Sequence, residues 1–186
     1  MNTIHLLSIG SVDAALLEHL RAELPKSLPV ECAVLPFRLD PACAYHPERQ
    51  QFHSSELLKR LMGLVRQNDW RYLAVTEVDL YIPILKYVFG EAQVGGPCAV
   101  VSTFRLSQEF YGLGRDDVLL RDRLLKESIH ELGHTLGLRH CEDYQCAMAS
   151  SHTVEWLDLR ERSWCADCHA KVRLELRKSG IVGQLL

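Results

Sequence analysis

The sequence has no apolar segment long enough to cross a bilayer and no excess of basic residues. Its mean hydropathy is −0.05, and no apolar run approaches the roughly 20 residues that a membrane helix needs. The formal net charge is −3 with a pI near 6.3, which argues against a general nucleic-acid binder. Internal repeats and low-complexity segments are also absent. We therefore expect neither a membrane nor a nucleic acid as a partner.

A recognisable secretion signal and an even number of cysteines are missing as well. Residues 1–7 contain no Lys or Arg, so they are predicted to form a first β-strand instead of a signal peptide. The seven cysteines are an odd number, which disfavours a disulfide framework and favours metal or thiol chemistry. Together these two features predict a cytoplasmic protein.

What the chain does have is the composition of one folded domain. Of its 186 residues, 47% are hydrophobic and 24% are charged, which is typical of globular proteins. Strand-like and helix-like apolar patterns alternate, and this predicts an α/β (α+β) fold with helices packed on a mixed sheet. The predicted strands span residues 4–9, 30–37, 72–78, 87–93 and 98–104. The predicted helices span residues 12–24, 54–67 and 166–178, with another following residue 116, and residues 41–47 are predicted to be a loop.

The predicted helix after residue 116 carries the motif HELGHTLGLRH, which runs from His130 to His140. His130 and His134 are four residues apart, so they lie on one helix face and can bind one metal ion from the same side. Gly137 is placed to end the helix, which lets the chain turn and bring His140 back as a third ligand. Three protein nitrogens and a water molecule form an open, catalytic type of zinc site.

Glu131 lies beside the two helical histidines and is predicted to reach a zinc-bound water without being a ligand. Zinc lowers the pKa of its water to about 7 and polarises a peptide carbonyl. Glu131 is therefore predicted to act as the general base and to pass the proton to the leaving amine. The alternative is three unrelated histidines, but the extended pattern with Gly137 and His140 is much more specific than a bare two-histidine motif.

Four cysteines form two pairs near the end of the chain. Four residues separate Cys141 from Cys146, two separate Cys165 from Cys168, and 18 residues lie between the pairs. Four thiolates at such spacings predict a closed structural zinc site, because this segment has few apolar residues to hold it in place. A redox pair and, with His169, a c-type haem attachment site are the alternatives. Each needs a context that the sequence lacks, a thioredoxin-like βαβ unit or an export signal.

The remaining cysteines and histidines have no ligand spacing. Three cysteines are predicted to be plain buried or partly buried residues: Cys32, Cys43 and Cys98. Six histidines are predicted to be surface or satisfied residues: His5, His19, His46, His53, His152 and His169. For Tyr144, an oxyanion donor and a packing or surface role are both open.

The two motifs together resemble those of the archaemetzincins, a branch of the metzincin zinc peptidases. The positions that match the family pattern are His130, Glu131, His134, Gly137, Cys141, Cys146, Met148, Cys165 and Cys168. The third histidine is not universal in that family, so His140 favours a competent catalytic site. The resemblance also implies that Met148, eight residues after His140, forms a Met-turn under the histidines, although a lone methionine would be ordinary core packing.

Segments outside the motifs, such as residues 49–54 and 89–92, are similar to this family as well. The resemblance implies a metzincin-like fold, with a twisted five-stranded mixed sheet, helices and a small zinc-stapled C-terminal subdomain. It also implies that the edge strand near residues 89–93 pairs with an extended peptide substrate.

The sequence thus predicts a single metallopeptidase domain over residues 1–186. Its N-terminal subdomain, about 1–137, would hold the active-site helix, and its C-terminal subdomain, about 138–186, the Met-turn and the four-cysteine site. We expect a monomer with two zinc ions, one catalytic and one structural, that hydrolyses a peptide or protein substrate. The main alternative is a catalytically weak, zinc-containing peptide-binding protein. A zinc-stabilised structural module does not explain Glu131 or an open three-histidine site.

Overall fold

A five-stranded mixed sheet is the centre of the computed structural model, which describes residues 3–67 and 69–178. The strands in chain order are β1 (Thr3–Ile9), β2 (Glu31–Leu39), β3 (Tyr45–His46), β4 (Gln51–His53), β5 (Arg71–Thr76), β6 (Leu80–Tyr81), β7 (Gly90–Ala92) and β8 (Cys98–Ser102). The main sheet has the order β2-β1-β5-β8-β7, and β7 is its antiparallel member. A second sheet has the order β3-β4-β6. The predicted fold class is confirmed.

Burial explains the arrangement of the main sheet. All five residues of β8 and five of the six residues of β5 are buried, as expected of parallel strands that are covered on both faces. The residues of β7 are only partly buried, and β7 lies at the edge of the sheet. One side of β7 therefore has backbone groups that no other strand of this sheet pairs.

Helices cover both faces of this sheet. They are α1 (Ala14–Ser27), α2 (Ser54–Met62), α3 (Asp117–Thr135), α4 (Val154–Leu159) and α5 (Ala166–Lys178). The apolar stripes of α1 and α3 share one buried cluster with Leu73 and Val101, whereas the stripe of α2 shares another with Ala74 and Val100. Successive residues of β5 and β8 thus point alternately to the two helical layers.

Both ends of α3 are specified locally. The Asp116 side chain accepts a hydrogen bond of 2.9 Å from the backbone N–H of Leu119, so it caps the first turn. At the other end Gly137 has a φ of +84°, and Leu138 N–H donates to Gly133 O at 3.0 Å. This is the glycine-terminated turn that the sequence predicts, and it reverses the chain after the second histidine.

Several predicted boundaries differ from the structure, and three of the differences have a local cause. The second helix ends at Met62 instead of residue 67, because Gly63 and the following residues form tighter turns. The Asp69 carboxylate stabilises the last of these turns by accepting a hydrogen bond of 2.9 Å from Arg66 N–H. Residues 41–46 are not a plain loop, since a short 3₁₀ helix at Pro41–Ala44 leads into β3. The predicted strand at 87–93 forms a ladder only over Gly90–Ala92, because Val88 N–H instead bonds Leu80 O at 3.0 Å.

The C-terminal segment is also held more firmly by apolar contacts than the sequence suggests. Five of its apolar side chains are buried in the same cluster as α1 and α3: Val154, Leu157, Trp164, Val172 and Leu176. No helix among the described residues is long and apolar enough to cross a membrane. Residues 1–2, 68 and 179–186 of the predicted single domain lie outside the described residues.

Candidate metal centres

Three histidines converge at the C-terminal end of α3. His130 and His134 come from successive turns of the helix, and His140 comes from the loop after Gly137. Their ligand nitrogens all lie within 4.8 Å of one another, and His130 Nε2 is 3.1 Å from His134 Nε2. His130 is buried, His134 is half-buried and His140 is exposed, so the cluster opens to the surface on one side.

Two backbone carbonyls orient the helical imidazoles. Nδ1 of His130 donates to Ala147 O at 2.8 Å, and Nδ1 of His134 donates to Leu138 O at 2.8 Å. With its proton on Nδ1, each ring presents an unprotonated Nε2, and two such lone pairs at 3.1 Å repel unless a cation lies beside them. Burial lowers the pKa of His130 to about 3, which keeps the ring in the neutral, metal-binding form. The donor set therefore fits a zinc ion.

Glu131 lies next to this cluster, 4% exposed, under the edge strand β7. A methyl group on Gly90 would lie 2.8 Å from Glu131 Oε1 and 2.8 Å from Val100 O, so only glycine leaves room for this carboxyl group. Burial, and then the neighbouring charge of Glu127, raise the pKa of Glu131 well above its usual value. A carboxyl group with a raised pKa binds a proton more readily than one with an ordinary pKa. A general base that works near neutral pH needs such a pKa.

A cavity of about 460 Å³ lies over the histidines and Glu131. One wall is the segment from Leu85 to Val94, which includes β7, and another is residues 150–152. Leu85 and Val94 are exposed apolar side chains at this wall, so the cavity presents apolar surface beside its polar centre. His152, for which the sequence gave no ligand role, also lines the cavity, whereas Tyr144 is an exposed residue outside its lining.

The four paired cysteines form a second cluster. Their sulfurs all lie within 4.8 Å of one another, and Cys141 Sγ is 3.7 Å from Cys165 Sγ. The N–H groups of Met148 and Cys165 donate to Cys146 Sγ at 3.4 and 3.3 Å. Burial raises the pKa values of Cys146 and Cys168, whereas the Cys168 backbone N–H lowers the pKa of Cys165. Burial thus disfavours the thiolate form of two of the four converging sulfurs, and a bound cation would stabilise all four as thiolates.

Met148 lies between the two clusters. It is fully buried, its carbonyl accepts a bond of 2.9 Å from Cys141 N–H, and Ala149 N–H bonds Cys146 O at 2.8 Å to close the tight turn around it. A methyl group on Gly133 would lie 2.3 Å from Met148 Sδ, so the thioether packs directly against α3 between the helical histidines. The structure thus places Met148 in a tight turn whose thioether packs against α3 at Gly133.

Sequence reasoning missed two charged residues beneath the histidines, Glu127 and Arg160, which form a buried ion pair. Glu127 precedes His130 by three residues, so helical spacing could have placed it on the same face. Arg160 carries no such local signal. The prediction of a buried or partly buried Cys43 is wrong, because this thiol is exposed on the short 3₁₀ helix, whereas Cys98 is buried in β8.

Comparisons with known proteins agree with this geometry. A family model described as peptidase family M54 matches residues 19–174, most of the chain. The chain belongs to peptidase family M54. Among M54 relatives, the archaemetzincin of Methanocaldococcus jannaschii is 39% identical over 165 residues, which cover 89% of each chain. The archaemetzincin of Archaeoglobus fulgidus is 37% identical over 163 residues, 88% of this chain and 94% of the relative.

Solved structures show the same M54 architecture. The archaemetzincin of Methanopyrus kandleri has a TM-score of 0.81 at 31% identity and covers 95% of this chain and 96% of its own. A zinc-dependent peptidase from Methanocorpusculum labreanum has a TM-score of 0.82 at 30% identity, over 91% of this chain and 99% of its own. The resemblance to archaemetzincins is confirmed, and M54 membership makes the chain a zinc metallopeptidase, a hydrolase.

Proposed function

We propose that this M54 peptidase hydrolyses peptide bonds at the histidine cluster, where His130, His134 and His140 would hold a catalytic zinc ion. The observation that carries the proposal is the convergence of three imidazole nitrogens and one buried carboxyl group on a single cavity. Zinc in that position supplies Lewis-acid activation of water and of the substrate carbonyl. The rest of the chemistry falls to side chains of this chain.

Glu131 is proposed as the general base. Its carboxylate accepts a proton from the attacking water and delivers it to the nitrogen of the leaving amine. Burial under β7 suits this transfer, because a raised pKa brings the carboxyl group closer to the pH at which it must both accept and release a proton. The absence of a side chain at Gly90 keeps the space above Glu131 Oε1 open.

An extended peptide or protein chain is the proposed substrate. Among the described residues, no strand of the main sheet pairs with the outer side of β7, and β7 lines the cavity beside Glu131. This supports the addition of a substrate strand at this edge. The exposed apolar side chains of Leu85 and Val94 at the same wall favour substrates with apolar residues near the cleaved bond.

A second, structural zinc ion is proposed at the cysteine cluster, which gives two zinc ions per chain. Its support is the convergence of all four sulfurs within 4.8 Å. We further propose one domain with subdomains near residues 1–137 and 138–186, and a monomer located in the cytoplasm. Elemental analysis of carefully loaded protein should find about two zinc ions per chain, and a value of one or less would rule out the two-site proposal. A thiol count on denatured, chelated protein without reductant should find seven free thiols, and native disulfides would argue against the cytoplasm.

The test of the catalytic proposal is Glu131→Gln. Glutamine keeps the size and polarity of the side chain but cannot accept the proton, so hydrolysis should fall by roughly 10²–10⁴-fold. Zinc content should stay at the wild-type value, because Glu131 is not a proposed ligand. Glu142→Gln, an exposed glutamate in the loop after His140, is the matched control and should keep wild-type hydrolysis.

The assay requires a wild-type signal, which a mixed peptide library can provide. Equal, slow hydrolysis of that library by wild type and Glu131→Gln, with zinc bound in both, would contradict the proposed mechanism. Binding of an extended peptide under those conditions would indicate the catalytically weak peptide-binding protein instead.

A further inference from the structure

A buried ion pair lies beneath the histidine cluster, and the chemistry proposed above involves it only through the effect of the Glu127 charge on Glu131. Arg160 follows α4, and its side chain is 1% exposed. Glu127 lies on α3, three residues before His130, and its side chain is 6% exposed. A guanidinium and a carboxylate so far from water cost free energy to bury, and their contacts must compensate for that cost. Those contacts indicate what the pair does.

Besides Glu127, the Arg160 guanidinium contacts both ends of the turn from Ala147 to Ala149. Its Nη1 lies 3.4 Å from Ala147 O and 3.3 Å from Ala149 O. The Ala147 carbonyl also accepts the 2.8 Å hydrogen bond from His130 Nδ1, and a carbonyl oxygen can accept two such bonds. Through this one carbonyl, the ion pair is connected to the imidazole whose Nε2 faces the proposed zinc ion.

We propose that Arg160 is a positioning residue for the metal site. Held by Glu127, it fixes the Ala147 carbonyl where His130 must donate to it, so the ring keeps its proton on Nδ1 and its Nε2 free. The inference rests on the zinc site proposed above. A hydrogen-bond partner of a ligating histidine sets the orientation and tautomer of the ring, and losing such a partner typically weakens metal binding by about 10–100-fold.

A second buried arginine offers a matched comparison. Arg123 lies on α3 with a side chain that is 7% exposed, and it pairs with Asp158 through Nε at 2.8 Å and Nη2 at 2.7 Å. Its Nη1 donates to Leu106 O at 2.8 Å, so all three nitrogens have partners. Nε of Arg160, by contrast, is buried and has no partner among the described residues. The contacts of Arg123 connect α3 to Asp158 and Leu106, away from the histidines. Those of Arg160 connect it to the turn from Ala147 to Ala149, although one of its donors then stays without a partner among the described residues.

The experiment compares Arg160→Met with Arg123→Met in the full chain, with zinc loaded at the cysteine cluster. Methionine keeps an extended apolar side chain and removes the charge. Cobalt(II) is then titrated into the histidine cluster, where its ligand-field absorption reports affinity and geometry. Arg160→Met should weaken cobalt binding by about 10–100-fold and alter the absorption spectrum. Arg123→Met should lower the urea midpoint of unfolding but leave cobalt affinity and spectrum as in wild type.

Equal effects of the two substitutions on cobalt affinity would overturn the proposal, because they would show that loss of fold stability alone weakens the site. If Arg160→Met does not fold, Arg160→Lys takes its place. A single ammonium group can pair with Glu127 but cannot reproduce the two-armed guanidinium contact with the turn, so affinity should still fall. Wild-type affinity and spectrum in Arg160→Lys would overturn the positioning role. A wild-type histidine cluster that binds no cobalt would instead overturn the proposed zinc site, and the role of Arg160 with it.

Discussion

The histidine cluster and the cysteine cluster share the loop that carries His140 and Cys141, but they differ in the properties that decide what a metal ion can do. The histidine cluster has three proposed ligands, one of them exposed, and a cavity that is also lined by a buried carboxyl group. The cysteine cluster has four proposed ligands, the number that a closed tetrahedral zinc site needs, and backbone N–H groups that bond Cys146 Sγ. The number of ligands and their neighbours, and not the identity of the metal, thus separate a reactive site from a structural one.

The two clusters are also mechanically connected. His140 and Cys141 are adjacent in the chain, and Cys141 N–H bonds Met148 O at 2.9 Å. Cys141, a member of the cysteine cluster, therefore fixes the loop directly after the exposed His140. We expect the histidine cluster to depend on the cysteine cluster, because His140 directly precedes Cys141 and the Ala147 carbonyl that orients His130 directly follows Cys146.

The largest expected effect comes from breaking the closed cluster. Cys168→Ser removes a buried ligand and should release the zinc ion, with a loss of stability on the order of 5 kcal/mol, because much of the binding free energy of a structural zinc is folding free energy. Urea unfolding and zinc content of the purified protein measure this. Cys43→Ser, at an exposed cysteine outside both clusters, is the control and should match wild type. A wild-type urea midpoint in Cys168→Ser would show that the apolar contacts of the C-terminal segment suffice.

The next prediction tests the neighbours of the two clusters. Of the two, only the histidine cluster has a carboxyl group, that of Glu131, under an edge strand. Gly90→Ala places a methyl group 2.8 Å from Glu131 Oε1, so the carboxylate must shift, and hydrolysis should fall by about 10²-fold. Zinc content should remain at the wild-type value. Gly114→Ala, where a methyl group meets no atom within 4 Å, serves as the control. Full activity of Gly90→Ala would mean that the position of Glu131 is not critical.

A smaller effect on the fold is expected from opening the histidine cluster. His134→Ala should remove one zinc ion per chain and abolish hydrolysis, yet lower stability by only about 1 kcal/mol, since the half-buried ring lies at the cavity and not in the apolar core. Thermal unfolding of His134→Ala and of Cys168→Ser, measured under the same conditions, compares the two losses of stability. A loss of stability as large as that of Cys168→Ser would remove the distinction between a catalytic and a structural site.

The smallest effect concerns the thiols outside the clusters. In zinc-loaded native protein a thiol reagent should modify Cys43 first, because Cys43 is exposed, whereas burial raises the pKa values of Cys32 and Cys98 to about 11 and about 12. Modification of Cys43 should leave hydrolysis unchanged. Mass spectrometry of the labelled peptides identifies the site, and rapid labelling of Cys98 would contradict its burial in β8.

Short-range spacing determined the parts of this protein that one helix or one turn can specify. The spacing of His130 and His134 on one helix places both rings on the same side, and Gly137 ends that helix because glycine adopts its φ of +84° without strain. The paired cysteine spacings and the alternation of strands and helices likewise indicated a metal cluster and a mixed sheet with helices on it. Each of these features depends on neighbours within a few residues, which a single sequence records.

Only the tertiary structure decided the features that join distant segments. Gly90 covers Glu131, the Ala147 carbonyl orients His130, and Arg160 reaches Glu127 from 33 residues away. The burial of Trp164 and Leu176 in the main core belongs to the same class. No local pattern predicts such contacts, because the free energy that selects them comes from packing and hydrogen bonds that exist only after the chain has folded.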